Sequence, residues 1–265
     1  MQTMSNTLGR KQRVTNEAWL EVLEKIEQLV PRERLDEKVK RTVEEIIAET
    51  KGKKVAFAWS AGKDSLVLEQ LCYMAGINSC VLVISNLEYQ AFLEWVEGHK
   101  PTELEIINTG QDLEWLVKHE QMLFPQNSQI ASQWFHIVQH RGQAKYYKAK
   151  ELDMLLLGRR RADGNYVGKG SNIYTDGKGI TRYSPLADWS HEDILAFIHY
   201  YNVAMPPIYD WKKGYLCGTH PWAARQWTGS VENGWSEVYE IEPNIVEEAA
   251  KVIPSAKKFL KNLEK

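Results

Sequence analysis

Six consecutive residues, Ser60-Ala61-Gly62-Lys63-Asp64-Ser65, bring together two hydroxyls, a glycine, a cation and a carboxylate. That set suits an anion. A turn here would leave backbone N–H groups at the start of a helix, where the macrodipole favours negative charge. Gly62 permits backbone geometry closed to other residues, Lys63 adds a point charge, and both serines can donate to phosphate oxygens. The stretch reads as a phosphate cradle. It is not a Walker A loop, which would need glycine where Phe57 stands.

The flanks say how such a cradle is held. Val55 to Trp59 is a continuous apolar run of strand formers, and Leu66, Val67, Leu68, Leu71 and Met74 recur at helical spacing. Ser79 to Ser85 is a second apolar strand, so the chain opens a βαβ unit and a parallel sheet. Leu104 to Asn108 and Met154 to Gly158 add two more strands. In a doubly wound sheet, ligands bind beyond the carboxyl ends of the strands, which sets Arg159-Arg160-Arg161 to face the cradle. From Asp112 to about Leu152 the pattern is helical, broken at Pro125, with Trp134, Phe135, Ile137 and Val138 as core. His136 and His140 share one helix face at a metal-compatible spacing, without an evident third ligand.

Arg159 to Arg182 carries six cations against two aspartates, with five glycines spread through it. It reads as a mobile basic flap. A lid closing over a polyanion is the first reading. Nucleic-acid contact is the second, since Tyr166 and Tyr174 offer stacking platforms among the cations.

At 265 residues, with 43% hydrophobic and 26% charged residues, the chain suits one large α/β domain with appendages. Domain organisation is expected as a tail and helical pair over 1–50, a nucleotide-binding domain over 51–227 and a helical extension over 228–265. Residues 1–13 read as a mobile tail, and the helical pair as a packing or homodimerisation element. No apolar run reaches the about 18 residues that span a bilayer. The first residues lack the apolar stretch of a signal peptide, so a cytoplasmic location is expected. A net charge of −2 does not draw the whole molecule to nucleic acid. Three cysteines, Cys72, Cys80 and Cys217, argue against a disulfide framework and cannot supply a four-cysteine iron–sulfur site within one chain.

The segment Ser60-x-Gly62-Lys63-Asp64-Ser65 after a strand resembles the PP-loop of ATP pyrophosphatases, in the form carried by the phosphoadenosine-phosphosulfate (PAPS) reductase and ATP sulfurylase family. Gly158-x-Arg160-Arg161-x-Asp163 is similar to that family's Gly-x-Arg-Arg-x-Glu-Ser segment. Pro185-Leu186-x-Asp188-Trp189 and Pro206-Pro207-Ile208-Tyr209-Asp210 match two later segments. The family's Asp-Thr-Gly after the second strand is replaced by Ser85-Asn86-Leu87-Glu88-Tyr89. The resemblance implies a doubly wound, mostly parallel five-stranded sheet of the adenine nucleotide alpha hydrolase-like (HUP) type. It implies nucleotide binding by Ser60, Ala61, Gly62, Lys63, Asp64, Ser65, Gly158, Arg160 and Arg161, with ATP and Mg²⁺, Asp64 being a candidate metal ligand.

The expected reaction is cleavage of ATP between the α- and β-phosphates, with adenylyl transfer to an acceptor in sulfur metabolism or modification. Lys63, Arg160 and Arg161 would stabilise the leaving pyrophosphate. The runner-up is a PAPS or adenylylsulfate reductase with Cys217, in Cys217-Gly218-x-His220, as nucleophile. A third reading is a non-catalytic nucleotide sensor or nucleic-acid-associated partner.

Overall fold

The apolar runs become strands of one six-stranded sheet in the computed structural model, which describes Leu8 and residues 14–264. Helices α1 (Asn16–Glu24), α2 (Ile26–Leu29) and α3 (Arg32–Thr50) precede β1 (Val55–Ala58) and α4 (Lys63–Met74). Then come β2 (Cys80–Ile84), α5 (Gln90–His99), β3 (Leu104–Asn108), α6 (Leu113–Lys118), α7 (Ser128–Trp134) and α8 (Arg141–Ala149). Strands β4 (Met154–Leu156), β5 (Ile173–Thr175) and β6 (Thr181–Tyr183) follow, with α9 (His191–Tyr200) and α10 (Gly214–Cys217) behind them. Three helices, α11 (Val231–Ile241), α12 (Pro243–Ala250) and α13 (Pro254–Leu263), end the chain.

The sheet order is β3-β2-β1-β4-β6-β5. β1 runs parallel to β2, with Phe57 opposite Cys80, and parallel to β4, with Val55 opposite Met154. β6 is parallel to β4 and β5 antiparallel to β6. Strand order therefore reverses between β1 and β4, and the segments leaving those two strands emerge at the switch point of this doubly wound, mostly parallel sheet. These are the cradle and the triple arginine.

The sheet has six strands where five were expected, because the glycine-rich flap is not a flap. Asp176 turns the chain by accepting from the Lys178 and Ile180 backbone N–H groups, and its other oxygen accepts from Arg182 at 2.9 Å. β-Branched Ile173, Thr175 and Thr181 then pair as an edge hairpin. The helical pattern between Asp112 and Leu152 is likewise more broken than expected, with a π-helical stretch over 135–140 that leaves Phe135 exposed while Trp134 and Val138 are buried. The tail expected over 1–13 lies outside the described residues except for Leu8. Among the described residues no helix is long and apolar enough to cross a membrane.

The chain divides into two compact units. One holds the chain up to Leu82, Lys100–Glu105 and Ala144–Gly218; the other holds Val83–His99, Ile106–Gln143 and Thr219–Lys265. Within the first, α3, α4 and α9 pack on one another and α1 and α2 rest on α9. Trp19 and Leu35 are fully buried there. Within the second, α11, α12 and α13 form a helical cluster around Trp235 and Val238, and Arg225 pairs with Glu237 at 2.6 Å in the interior.

Asp193 ties the N-terminal helices to α9. Ser190 and Asp193 form a reciprocal capping box, and the Asp193 carboxylate accepts from Arg34 at 2.8 Å and Lys38 at 2.6 Å. Burial works to raise this carboxyl, but Lys38, the Ser190 N–H and Arg34 together hold it below the usual carboxylate range. Its contribution is therefore present above about pH 4 and lost as pH falls through the depressed value. Asp193→Ala is expected to cost about 2–3 kcal/mol in a urea titration at neutral pH, with the difference from the unsubstituted protein shrinking below that pH.

Candidate functional site

β1 is followed by Trp59, whose indole N–H donates to the buried Glu69 of α4 at 2.6 Å, so the strand's exit and the helix that bracket the cradle are tied directly. Between them Ala61 takes a left-handed φ of 53° and Gly62 is the N-cap of α4. The two serines meet across the turn. The Ser65 hydroxyl accepts from the Ser60 N–H at 3.1 Å, lies 3.2 Å from the Ser60 hydroxyl and donates to the Gly62 carbonyl at 2.9 Å. The result is a closed loop of backbone and hydroxyl groups over the positive end of a twelve-residue helix.

The charged residues hold the loop from within. Lys63 is 2% exposed, and its ammonium pairs with Asp64 at 2.7 Å and lies over the Trp19 ring, 5.2 Å from its centroid. Arg160 is fully buried. It donates through Nε to the other Asp64 oxygen at 2.7 Å, through Nη1 to the Trp189 carbonyl, and through Nη2 towards Asp163 at 3.0 Å and His191 Nδ1 at 3.1 Å. An arginine can only donate, so His191 Nδ1 accepts and the imidazole carries its proton on Nε2. Burial first, then the Arg160 charge, pushes His191 down to about 4 and keeps it neutral at physiological pH.

The site residues expected from sequence are thus brought together in two layers. Ser60, Ala61, Gly62 and Ser65 shape the loop, while Lys63, Asp64 and Arg160 form an ion network beneath it. Gly158 connects the layers. A Cβ there would stand 3.1 Å from the Asp64 carbonyl group and 3.3 Å from the Ser65 nitrogen, so any larger residue would need the backbone of α4 to give by a few tenths of an ångström. Arg161 stands apart, with its side chain 44% exposed, pairing with Asp188 and donating to Asn172 at 2.7 Å. Arg159 reaches the Tyr174 hydroxyl at 2.9 Å. Cys217 is buried at the end of α10, the helix whose Tyr215 stacks on Trp19 at 5.3 Å.

Asp64, the candidate magnesium ligand, has each of its oxygens accepting from a buried cation in this arrangement. Among the described residues no group of three or more histidine, cysteine or acidic side chains could hold a metal. His136 and His140 do meet, Nδ1 to Nδ1 at 3.1 Å, on the π-helical turn.

Sequence reasoning missed four residues here. The Tyr209 hydroxyl accepts the Lys63 backbone N–H at 2.7 Å; its only signal was a place in the Pro-Pro-Ile-Tyr-Asp match. Asp163 and His191 grip Arg160, and His191 had no signal at all. Trp19, in the helical pair read as a packing or homodimerisation element, lies against Lys63 and meets His191 edge-on at 4.7 Å.

A cavity of about 420 Å³ opens at the amino-terminal ends of β1, β2 and β3, lined by Lys54, Ser79, Glu103 and Lys150 among others. Strand polarity places nucleotide chemistry at the opposite ends. In the second unit Glu88 accepts from the Ser85 N–H and hydroxyl, both at 2.9 Å, while burial pushes its carboxyl up to about 7.

Two outcomes follow from these contacts. Gly158→Ala forces backbone, not a flexible side chain, to give way, and a loss of about 1–3 kcal/mol in thermal unfolding is expected. Glu88 is raised in the folded state, so its contribution falls as pH rises from the unfolded carboxyl range through about 7. Glu88→Gln should therefore gain stability relative to the unsubstituted protein at pH 8 and lose that advantage below about pH 4, as read by melting temperature across a pH series.

No curated protein matches the chain by sequence. A PAPS reductase from Candida auris, solved as a phosphate complex, aligns at 19% identity over 68% of this chain and 92% of its own, with a TM-score of 0.47. An NMN synthetase from Francisella tularensis aligns at 16% identity over 86% and 93%, with a TM-score of 0.46. A U34-tRNA thiolase from Methanococcus maripaludis, solved with its [4Fe-4S] cluster, aligns at 17% identity over 94% and 79%, with a TM-score of 0.42. The model of the phosphoadenosine phosphosulfate reductase domain matches residues 54–217, which span the cradle, the arginines and α10. With more than half its length inside that match, the chain belongs to the phosphoadenosine phosphosulfate reductase domain family of the PP-loop superfamily.

Proposed function

We propose that the protein is an enzyme that binds Mg·ATP at the Ser60–Ser65 loop, cleaves it between the α- and β-phosphates, and transfers the adenylyl group to an acceptor. The observation that carries this reading is the loop itself: two facing serine hydroxyls and the N-terminus of α4, at the switch point of the sheet. A β,γ-diphosphate is the group that such a loop suits. The acceptor's nucleophile attacks the α-phosphorus, the α,β-bridging P–O bond breaks, pyrophosphate leaves and the nucleophile's proton passes to solvent.

The loop hydroxyls and N–H groups stabilise charge gathering on the leaving pyrophosphate, in a geometry fixed before the reaction. Lys63 and Arg160 act one step back, holding Asp64 and with it the loop. Of the two arginines, Arg161 is the one exposed to solvent and so the candidate to meet phosphate oxygens directly. Mg²⁺ arrives with the nucleotide as part of the substrate.

A reductase acting on PAPS or adenylylsulfate through Cys217 is the second reading, favoured by the reach of the family match to Cys217 itself. The burial of that thiol weighs against it.

Pyrophosphate release from Mg·ATP, measured on the unsubstituted protein beside Ser60→Ala, Ser65→Ala and Cys217→Ser, separates the two. Each serine substitution is expected to lower the rate about 10–100-fold, and Cys217→Ser to leave it within about twofold of the parent rate, since an effect below about 0.5 kcal/mol marks a bystander. Thiol-dependent sulfite release from PAPS, abolished in Cys217→Ser and without pyrophosphate release from ATP, would overturn the proposal.

A further inference from the structure

The segment from Arg159 to Arg182 was expected to close as a lid, and its structure assigns it another task. A lid must leave the sheet and return, whereas β5 and β6 are hydrogen-bonded into it, with Leu155 opposite Arg182 and Ile173 opposite Tyr183. The hairpin is a fixed edge. What it presents to solvent follows from where its charges are spent. The segment has two aspartates, and each is taken by a buried arginine: Asp163 by Arg160 at 3.0 Å and Asp176 by Arg182 at 2.9 Å. Its remaining charges are cations: Arg159 is half-buried, Arg161 pairs with Asp188 outside the segment, and Lys169 and Lys178 are exposed.

Beside them is an aromatic face. Tyr166 is 59% exposed and meets Tyr174 edge-on at 5.0 Å, while the Tyr174 hydroxyl accepts from Arg159, the residue that follows Gly158 at the end of β4. Tyr166 is a large exposed aromatic ring held by a second ring, and in sequence it stands three residues before Lys169. It matches the demands of an unpaired nucleobase, which stacks on an aromatic ring while neighbouring cations follow the phosphates. A duplex, with its bases already stacked, gives such a ring nothing to hold.

We propose that the β5–β6 hairpin is a platform for single-stranded nucleic acid, with a base stacked on Tyr166 and the backbone running along Lys169 and Lys178. Binding stands independently of the reaction proposed above. Only its further meaning, that the acceptor of the adenylyl group is a polynucleotide, rests on that reading.

The test is fluorescence anisotropy with the full chain and labelled single strands of about 20 nucleotides, longer than one single-strand site, as RNA and as DNA, beside the duplex of the same sequence. The expected result is binding of a single strand in preference to the duplex, weakening as salt rises. Tyr166→Ala should weaken it about tenfold, as loss of one stacked base does. The double substitution Lys169→Glu, Lys178→Glu should flatten the salt dependence by about one unit of slope or more. All these side chains are exposed, so unchanged melting temperatures confirm that the variants fold. RNA bound in preference to DNA, or the reverse, identifies which polymer the platform takes. No binding at about 100 μM protein and low salt, weaker than ordinary non-specific contact, would overturn the proposal. So would affinity indifferent to both variants, or a preference for duplex. Binding without any pyrophosphate release from ATP would leave the platform standing and remove only the reaction.

Discussion

The site depends on one carboxylate. Asp64 sits in the first turn of α4 with one oxygen on Lys63 and the other on Arg160, and both cations are withdrawn from water. Taking three charges out of solvent is expensive, and mutual attraction repays it only where the remaining donors are also satisfied. That requirement explains the crowd around Arg160. Asp163, the Trp189 carbonyl and a neutral His191 each take one of its N–H groups, and they come from two separate parts of the chain. The ion network is weak as a source of stability and strong as a specification of place, since few arrangements satisfy all its members at once.

The same network accounts for what could be read beforehand. The strands, the cradle and the order of motifs were legible because they rest on local signals: a continuous apolar run, a helical period, a polar turn between them. Arginine at 160 was visible as a residue of the site but not as a buried one, because a run of three arginines reads as surface until the topology sets one of them beneath the loop. Trp19 lies more than forty residues upstream of Lys63, and nothing local reveals that its ring meets the lysine. The hairpin was misread for a related reason. Glycine-rich, charged sequence resembles an unstructured flap, and the Arg182–Asp176 pair that fixes it becomes apparent only once the two residues face each other across the turn.

The family places a chemical constraint on these positions. Lysine in the loop invites the idea of a phosphate ligand, yet its backbone N–H is taken by the Tyr209 hydroxyl and its ammonium by Asp64. On the proposed reading, the cations here divide into those that would touch substrate and those that hold the walls. Exposure decides which is which: Arg161 is open to solvent and Arg160 is not.

Ala61 carries a last consequence. A side chain at φ 53° costs roughly 1 kcal/mol or more relative to an ordinary backbone conformation, and this one is wholly buried between a strand and a helix that cannot relax it. The loop is thus a loaded spring, kept bent by the rest of the fold whether or not anything is bound. A ligand that fits it meets a surface already ordered and spends none of its binding energy on shaping it.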